Sequence, residues 1–407
     1  MKLLFISIAW PRPAERNLYS DLMDEFVRHG HQVHVVGTRD GGRGGGADLR
    51  TENGITVLRI AAGRIRKTSY LRKAMQLLTL GGKFRSAVKK QFADESFDLI
   101  MGPTPPITLS LLFRKLKKRY RAPFYLLLKD IWPQGSVDLK VYRKHSLPWL
   151  FFRMHEKRIY RVADHIGTMS PMGAEYILSK NRSLPASKVE VCPNSIRPSE
   201  GVSLKGKDEI RKKYGIPRDA CVFIFSGNLG VGHGLHFLVE AMQALSDYPE
   251  AYFVIGGSGT QFQFLEKKKR ELHLENLFLY NWLPREDFES ILATSDVGLI
   301  LLYRYTSPQF PSRLLSYFEF SKPALCAVNK DTDIGTIVEK GECGMAVEHG
   351  DLESFTGAVR FFSGQAERRK EMGRNGRRLL MERYTVAHSY KIIMNHYLKP
   401  TEHERQS

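Results

Sequence analysis

The sequence predicts an α/β protein built from two doubly wound domains, and three observations carry that prediction. Short apolar runs alternate with amphipathic stretches through both halves of the chain, the pattern of a parallel sheet covered by helices on both faces. A polar, Lys-rich stretch at 197–213 interrupts the alternation once, and the pattern then restarts. At 407 residues the chain is too long for one small core, while 42% apolar and 26% charged residues describe a soluble globular composition.

The elements follow in order. In the first half, strands are expected at 3–9, 32–37, 55–60, 98–102, 124–128, 165–169 and 189–192. Helices are expected between them at 17–29, 70–92, 108–120, 148–162 and 171–179, and the Gly-rich segment 40–48 reads as a loop. The apolar start superficially suggests a secretion signal, but it is short and runs into Pro11-Arg12-Pro13, so it reads as a buried strand. No stretch approaches the ~18 uninterrupted apolar residues of a spanning helix. After the linker, strands are expected at 221–226, 251–255, 277–280 and 297–302, with helices at 234–244, 261–272, 286–293 and 312–320. Segments 324–328, 334–339 and 345–347 and two polar helices, 352–363 and 365–384, close the second domain. Ligands of doubly wound sheets bind outside the carboxyl ends of the strands, so a cleft between the domains is the expected site.

Segment 297–323 is the most informative. An apolar strand empties into a loop and a helix entered through Phe310-Pro311-Ser312-Arg313. A helix start favours an anion through its free N–H groups and dipole, and Arg313 adds a planar fork of donors. The segment is third in a series of such strand-loop-helix units.

Charge is divided unevenly. Of the net +19, residues 1–200 hold +18, and 64–121 carry fifteen basic against three acidic residues. Basic side chains there are interleaved with apolar ones, with Lys73, Leu77, Leu80 and Phe84 at near-helical spacing. A helix there is expected to lay its apolar face, Leu77, Leu80 and Phe84 included, at the headgroup boundary of an anionic membrane; nucleic acid could use the same charge, but no nucleic-acid-binding signature accompanies it. Four scattered cysteines show neither metal spacing nor a disulfide framework, which suggests buried reduced thiols in a cytoplasmic protein. His31, His34, His145, His155, His165, His236 and His273 sit on ordinary elements and read as structural.

Six motifs stand in an order that resembles a known family. They are Lys129-Asp130-Ile131-Trp132-Pro133, Pro193-Asn194-Ser195, the stretch from Phe225 to Leu235, Ile255-Gly256-Gly257-Ser258-Gly259, Tyr280-Asn281-Trp282-Leu283-Pro284, and Phe310-Pro311-Ser312-Arg313 through Pro323. Together they resemble the retaining glycosyltransferases of family 4, which adopt the GT-B fold, and among them the branch that builds bacterial surface polysaccharides. The resemblance implies two Rossmann-like domains: 1–197, with a returning helix at about 386–400, binding the acceptor, and 206–385 binding the donor. It also implies transfer of a hexosyl or N-acetylhexosaminyl unit from a nucleoside-diphosphate sugar, a uridine diphosphate one, with no metal and no cofactor. The acceptor it implies is a polyprenyl-linked glycan, reached by a protein attached peripherally to the inner face of the cell membrane.

On these motifs, Gly227, Asn228, His233, Gly257, Ser258, Leu283, Pro311, Ser312 and Ser316 are expected to hold the donor. Asp130, Arg313 and Glu319 are the candidate catalytic residues. Glycine permits close backbone approach to a diphosphate, and a cation stabilises the departing one. The chain also departs from the family pattern. His233 stands where a stronger phosphate ligand is usual, and its charge would depend on pH. The carboxylate that ordinarily holds the ribose falls on Ser316, an earlier glutamate falls near Pro308, and Glu319, three residues after Ser316, could substitute. Asp331-Thr332-Asp333, the one formal Asp-x-Asp match, reads as a loop beyond the donor helix. Two other readings stay open: a catalytically inactive GT-B binding partner, and a sugar-nucleotide epimerase or hydrolase.

Overall fold

In a computed structural model of the protein, the described residues are 1–397 except 9, 14, 40–46, 62–69, 200–206 and 304–306; for 70–78 and 207 only the backbone is described. The chain divides into two units, Met1–Arg197 with Val386–Ser407, and Pro198–Thr385.

The first unit is an eight-stranded sheet. In chain order come β1 (Lys2–Ile6), α1 (Leu18–Arg28), β2 (Gln32–Arg39), β3 (Asp48–Glu52), β4 (Ile55–Ala61), α2 (Tyr70–Gln91), β5 (Leu99–Thr104) and α3 (Ser110–Tyr120). They are followed by β6 (Phe124–Leu128), α4 (Gln134–Asp138), α5 (Leu147–Val162), β7 (His165–Thr168), α6 (Pro171–Lys180) and β8 (Val189–Val191). The strand order is β3-β4-β2-β1-β5-β6-β7-β8, all parallel except the β3–β4 pair. The central strands are buried almost throughout because helices cover both faces, so they read as largely apolar runs. The start of α1 is fixed by a capping box: Asn17 Oδ1 accepts from the Tyr19 and Ser20 backbone N–H groups, and Ser20 Oγ accepts from Asn17 N.

The second unit runs α7 (Lys207–Lys213), β9 (Cys221–Ser226), α8 (Leu235–Ala244), β10 (Ala251–Gly256), α9 (Phe262–Glu271), β11 (Leu277–Tyr280), α10 (Arg285–Thr294) and β12 (Val297–Leu301). It continues with α11 (Arg313–Glu319), β13 (Ala324–Val328), α12 (Ile334–Lys340), β14 (Gly344–Glu348), α13 (Leu352–Gly364) and α14 (Ala366–Arg383). Its six parallel strands lie in the order β11-β10-β9-β12-β13-β14. The last helix, α15 (Val386–Met394), belongs to the first unit. It packs beside α1, where the Tyr390 ring stacks on His29 at 4.0 Å and its hydroxyl lies 2.8 Å from His31 Nε2.

Three expectations are corrected. Part of the supposed linker is helix α7, and its Arg211 is the largest fully buried side chain among the described residues. Arg211 donates to the Pro217, Arg218, Ala220 and Thr294 carbonyls and pairs with Asp296 at 3.0 Å, so a polar sequence hides a structural plug. Strand β3 begins at Asp48, the end of the expected loop, and its exposed antiparallel edge carries too few apolar side chains to be read as a strand. Leu80 and Phe84, expected to form an apolar face for a membrane, are buried in the core with Val88 one turn on. Residues 64–69 and the side chains of Lys73 and Leu77 lie outside the described part. The four cysteines are free and buried, and Asp331–Asp333 forms a loop ahead of α12, where Thr332 Oγ1 donates to Gln309 O.

Candidate active site

Strands β9 and β12 are neighbours although many residues separate them in sequence, and this reversal of strand order makes the second unit's switch point. They pair only at Phe223–Val297 and Ile224–Gly298 and then diverge. Tyr317 of α11 fills the split, its Oη 3.1 Å from both the Ile224 and Leu299 carbonyls. A side chain at Gly298 would overlap the Tyr317 ring, so the wedge requires glycine there. The crevice beyond the strand ends is where doubly wound sheets take ligands.

Two glycine turns form its lip. Gly227 follows β9 with φ +122° and Gly257 follows β10 with φ +126°, conformations that side-chain-bearing residues rarely adopt. The turns lock together, Gly227 N donating to Gly256 O at 2.9 Å and Leu229 N to Ser258 O at 3.0 Å. A Cβ at Gly257 would strike Gly227 O. Asn228 and Ser258 are exposed on this lip, and Gly257 is half-buried.

Arg313, the first residue of α11, reaches back under the lip. Its guanidinium lies 4.0 Å from the centre of the Phe225 ring and its Nη2 is 3.3 Å from His233 Nε2. His233 Nδ1 is 2.9 Å from the Leu301 carbonyl, which can only accept. This assigns the proton to Nδ1 and leaves the Nε2 lone pair facing Arg313. Burial first, and the Arg313 charge second, push the His233 pKa down to about 4, against the opposing pull of the Leu301 hydrogen bond. At neutral pH His233 is therefore uncharged here, with its Nε2 against the Arg313 guanidinium. Among the described residues no carboxylate pairs with Arg313, and its buried Nη1 has no hydrogen-bond partner. Buried cations are ordinarily paired, so this guanidinium presents uncompensated charge to the crevice.

The remaining candidates occupy the same edge of the unit. Half-buried Pro311 and exposed Ser312 lead into α11, and half-buried Ser316 lies nearly one turn after Arg313. Leu283 is half-buried after β11, beside Trp282, which is 78% exposed. Glu319, six residues after Arg313, lies about 9 Å further along the helix, and its carboxylate already has partners. Its Oε1 accepts from Ser199 N and Ser199 Oγ, both at 2.9 Å, while Arg377 donates to the Glu319 and Ser199 carbonyls. Glu319 therefore clamps the start of the second unit to α11.

In the first unit Asp130 stands exposed just past the end of β6, its carbonyl 3.4 Å from Thr104 Oγ1. The turn is anchored by Trp132, whose ring meets Phe152 of α5 at 5.7 Å and Tyr142 at 6.3 Å. The Tyr19 phenol is held protonated by burial and, secondarily, by the Asp130 charge. Among the described residues no group of three acidic, His or Cys side chains could hold a metal ion. Sequence reasoning missed the platform role of Phe225, the Leu301 carbonyl and the Tyr317 wedge. Each depends on contacts between distant segments, and no local pattern announces it.

Comparison with known proteins bears on the family and the fold. Residues 206–379 match the model of glycosyl transferases group 1, and 18–195 match a glycosyl transferase 4-like domain, so the two models cover most of the chain. The chain is 24% identical over 250 residues to "Probable glycosyltransferase WbjE" of Pseudomonas aeruginosa, covering 60% of each protein. It is 29% identical over 180 residues to the D-rhamnosyltransferase WbpZ of the same species, covering 43% of this chain and 44% of that one. These matched stretches span less than two thirds of either relative. Among solved structures, sucrose-phosphate synthase from Thermosynechococcus elongatus superposes with a TM-score of 0.75 at 16% identity, covering 97% of this chain and 98% of that one. Anabaena HepE in complex with UDP gives 0.66 at 16% identity over 97% and 99%. WaaG, a glycosyltransferase involved in lipopolysaccharide biosynthesis, gives 0.65 at 14% over 97% and 99%. The chain belongs to the family 4 glycosyltransferases and has the GT-B fold.

Proposed function

We propose that the protein transfers a hexosyl or N-acetylhexosaminyl unit from a uridine-diphosphate sugar to a polyprenyl-linked glycan in bacterial surface-polysaccharide synthesis, at the cytoplasmic face of the membrane and with retention of anomeric configuration. The observation that carries the donor side is Arg313, a guanidinium stacked on Phe225, steadied by neutral His233 and lacking an anionic partner among the described residues. A diphosphate at the lip of Gly227, Asn228, Gly257 and Ser258 would supply that partner. Ser312 and Pro311 would line the approach to Arg313, Ser316 would face the ribose, and Leu283 would border the base. In the transfer, the bond between the anomeric carbon and the diphosphate oxygen breaks and its electron pair leaves with the diphosphate. Arg313 stabilises that developing charge. The acceptor hydroxyl bonds to the anomeric carbon and its proton passes to the leaving diphosphate. Asp130 would position a sugar or acceptor hydroxyl from the first unit. The UDP bound to HepE and the lipopolysaccharide role of WaaG support the choice of donor class and pathway.

The second reading is an inactive partner that kept the fold. It is favoured by Ser316 where a carboxylate is usual and by the loss of charge at His233. Incubation with a panel of nucleotide sugars and a polyprenyl-diphosphate glycan separates the readings. Transfer to the acceptor supports the enzyme, donor binding without transfer the inactive partner, and donor turnover without acceptor an epimerase or hydrolase.

A further inference from the structure

We propose that the amino-terminal half of α5 is a docking tip for an anionic phospholipid surface. This names the contact element of the proposed membrane partner, rests on that reading, and places it on a helix that composition alone does not single out.

The exposed residues Leu147, Leu150, Met154, Lys157 and Arg161 are spaced three, four, three and four apart, so they form one stripe along the helix. Its first two turns are apolar and unusually bare: Leu147 is 82% exposed, Leu150 50% and Met154 46%. Val141, 58% exposed, precedes them. Large apolar side chains exposed singly are ordinary, but three along one stripe of successive helical turns form a patch. The later turns of the same stripe are cationic, and residues 140–161 contain seven Lys or Arg against one acidic residue, Glu156. That glutamate is already paired with Arg153.

The order along the axis matches the depth profile of a bilayer interface. Lys157 lies about 10 Å further along the helix than Leu150, so the apolar turns can enter the headgroup and acyl boundary, about 5–10 Å deep, while the cationic turns meet the phosphate groups. Ser110 Oγ is 2.9 Å from His155 Nδ1 and Lys117 Nζ donates to Val162 O, so α3 runs beside the second half of α5. The apolar turns therefore begin about two turns before α3 does. Helix α2 offers no equivalent from Leu80 onward, because Leu80, Phe84 and Val88 face the core. On the inner side of α5, Phe152 touches Trp132 in the turn bearing Asp130, so a docked α5 would hold that turn near the membrane.

The test is flotation of the full chain with phosphatidylcholine vesicles, with and without phosphatidylglycerol. Wild-type protein is expected to float only with phosphatidylglycerol. L147S/L150S/M154S is expected to lower partition about tenfold or more, K157Q/R161Q to weaken its dependence on phosphatidylglycerol, and K83Q/R85Q on α2 to do less than either. Unchanged melting of the triple variant shows that its fold is intact, since these side chains are exposed. Wild-type protein that does not float, or a triple variant that floats as wild type does, overturns the inference. So does a triple variant that turns a dimer into a monomer while vesicle binding is unchanged, because the patch would then join two copies. Binding of UDP-sugar is measured in parallel on wild-type protein and the same variant. Its absence in wild-type protein would count against the donor reading alone.

Discussion

Arg313 combines three features: a largely buried guanidinium, an aromatic ring beneath it, and a neutral histidine beside it instead of a carboxylate partner. Replacing it by Gln should lower kcat/KM for the nucleotide sugar by about a hundredfold or more, the scale of losing one transition-state donor, with little change in melting temperature. Lys should rescue poorly, because it lacks the planar fork that stacks on Phe225 while meeting His233. The neighbouring histidine makes a separate prediction. The unfolded chain protonates this imidazole near its ordinary value, and the folded protein only near pH 4. The stability due to neutral His233 is therefore complete above about pH 6.5 and lost as the pH falls towards 4. The melting temperature of the wild type relative to H233Q should fall across that interval, whereas a constant difference would show that His233 is not held neutral. Arg313 was legible as a cation opening a helix. The protonation of His233 was not legible, because the burial and the Arg313 charge that set it arise only on folding.

At the scale of elements, the locked glycine turns are the feature least tolerant of change. G257A should destabilise the second unit by about 2 kcal/mol or more, since it combines a strained positive φ with a backbone clash, and it should weaken donor binding as well. G82A, on an exposed stretch of α2 with nothing within 4 Å of the added carbon, should be neutral or stabilise by up to about 1 kcal/mol. Thermal melts of the two variants check both. Buried parallel strands such as β6 and β12 could be read directly because their apolar runs are unbroken. Strand β3 and helix α7 could not. The first is an exposed edge held by backbone pairing, and the second buries an arginine through carbonyls that composition does not reveal. The candidate site was legible at its lip, where glycines and Arg313 carry the pattern. It was not legible at Glu319, whose partner Ser199 is far away in sequence.

At the scale of the whole molecule, the last helix is part of the first unit although the second unit intervenes in sequence. Tyr390, Ile393 and Met394 of α15 are buried in the same core as Leu22, Met23 and Phe26 of α1. Removing residues from 386 onward should lower the melting transition of the first unit and leave that of the second unchanged, a difference that calorimetry resolves when the units unfold separately. The excess charge belongs to the first half of the chain, so attachment to anionic vesicles should weaken as salt is raised, while binding of nucleotide sugar should respond less. The central claim, sugar transfer assisted by Arg313, is tested most directly by following radiolabel from a panel of UDP-sugars into a polyprenyl-diphosphate glycan, with wild-type protein and R313Q side by side. The account predicts a labelled lipid product with at least one donor, formed by wild-type protein and reduced about a hundredfold by the substitution. Label that stays on the nucleotide, is released as free sugar without acceptor, or reaches the lipid equally well with R313Q would contradict it.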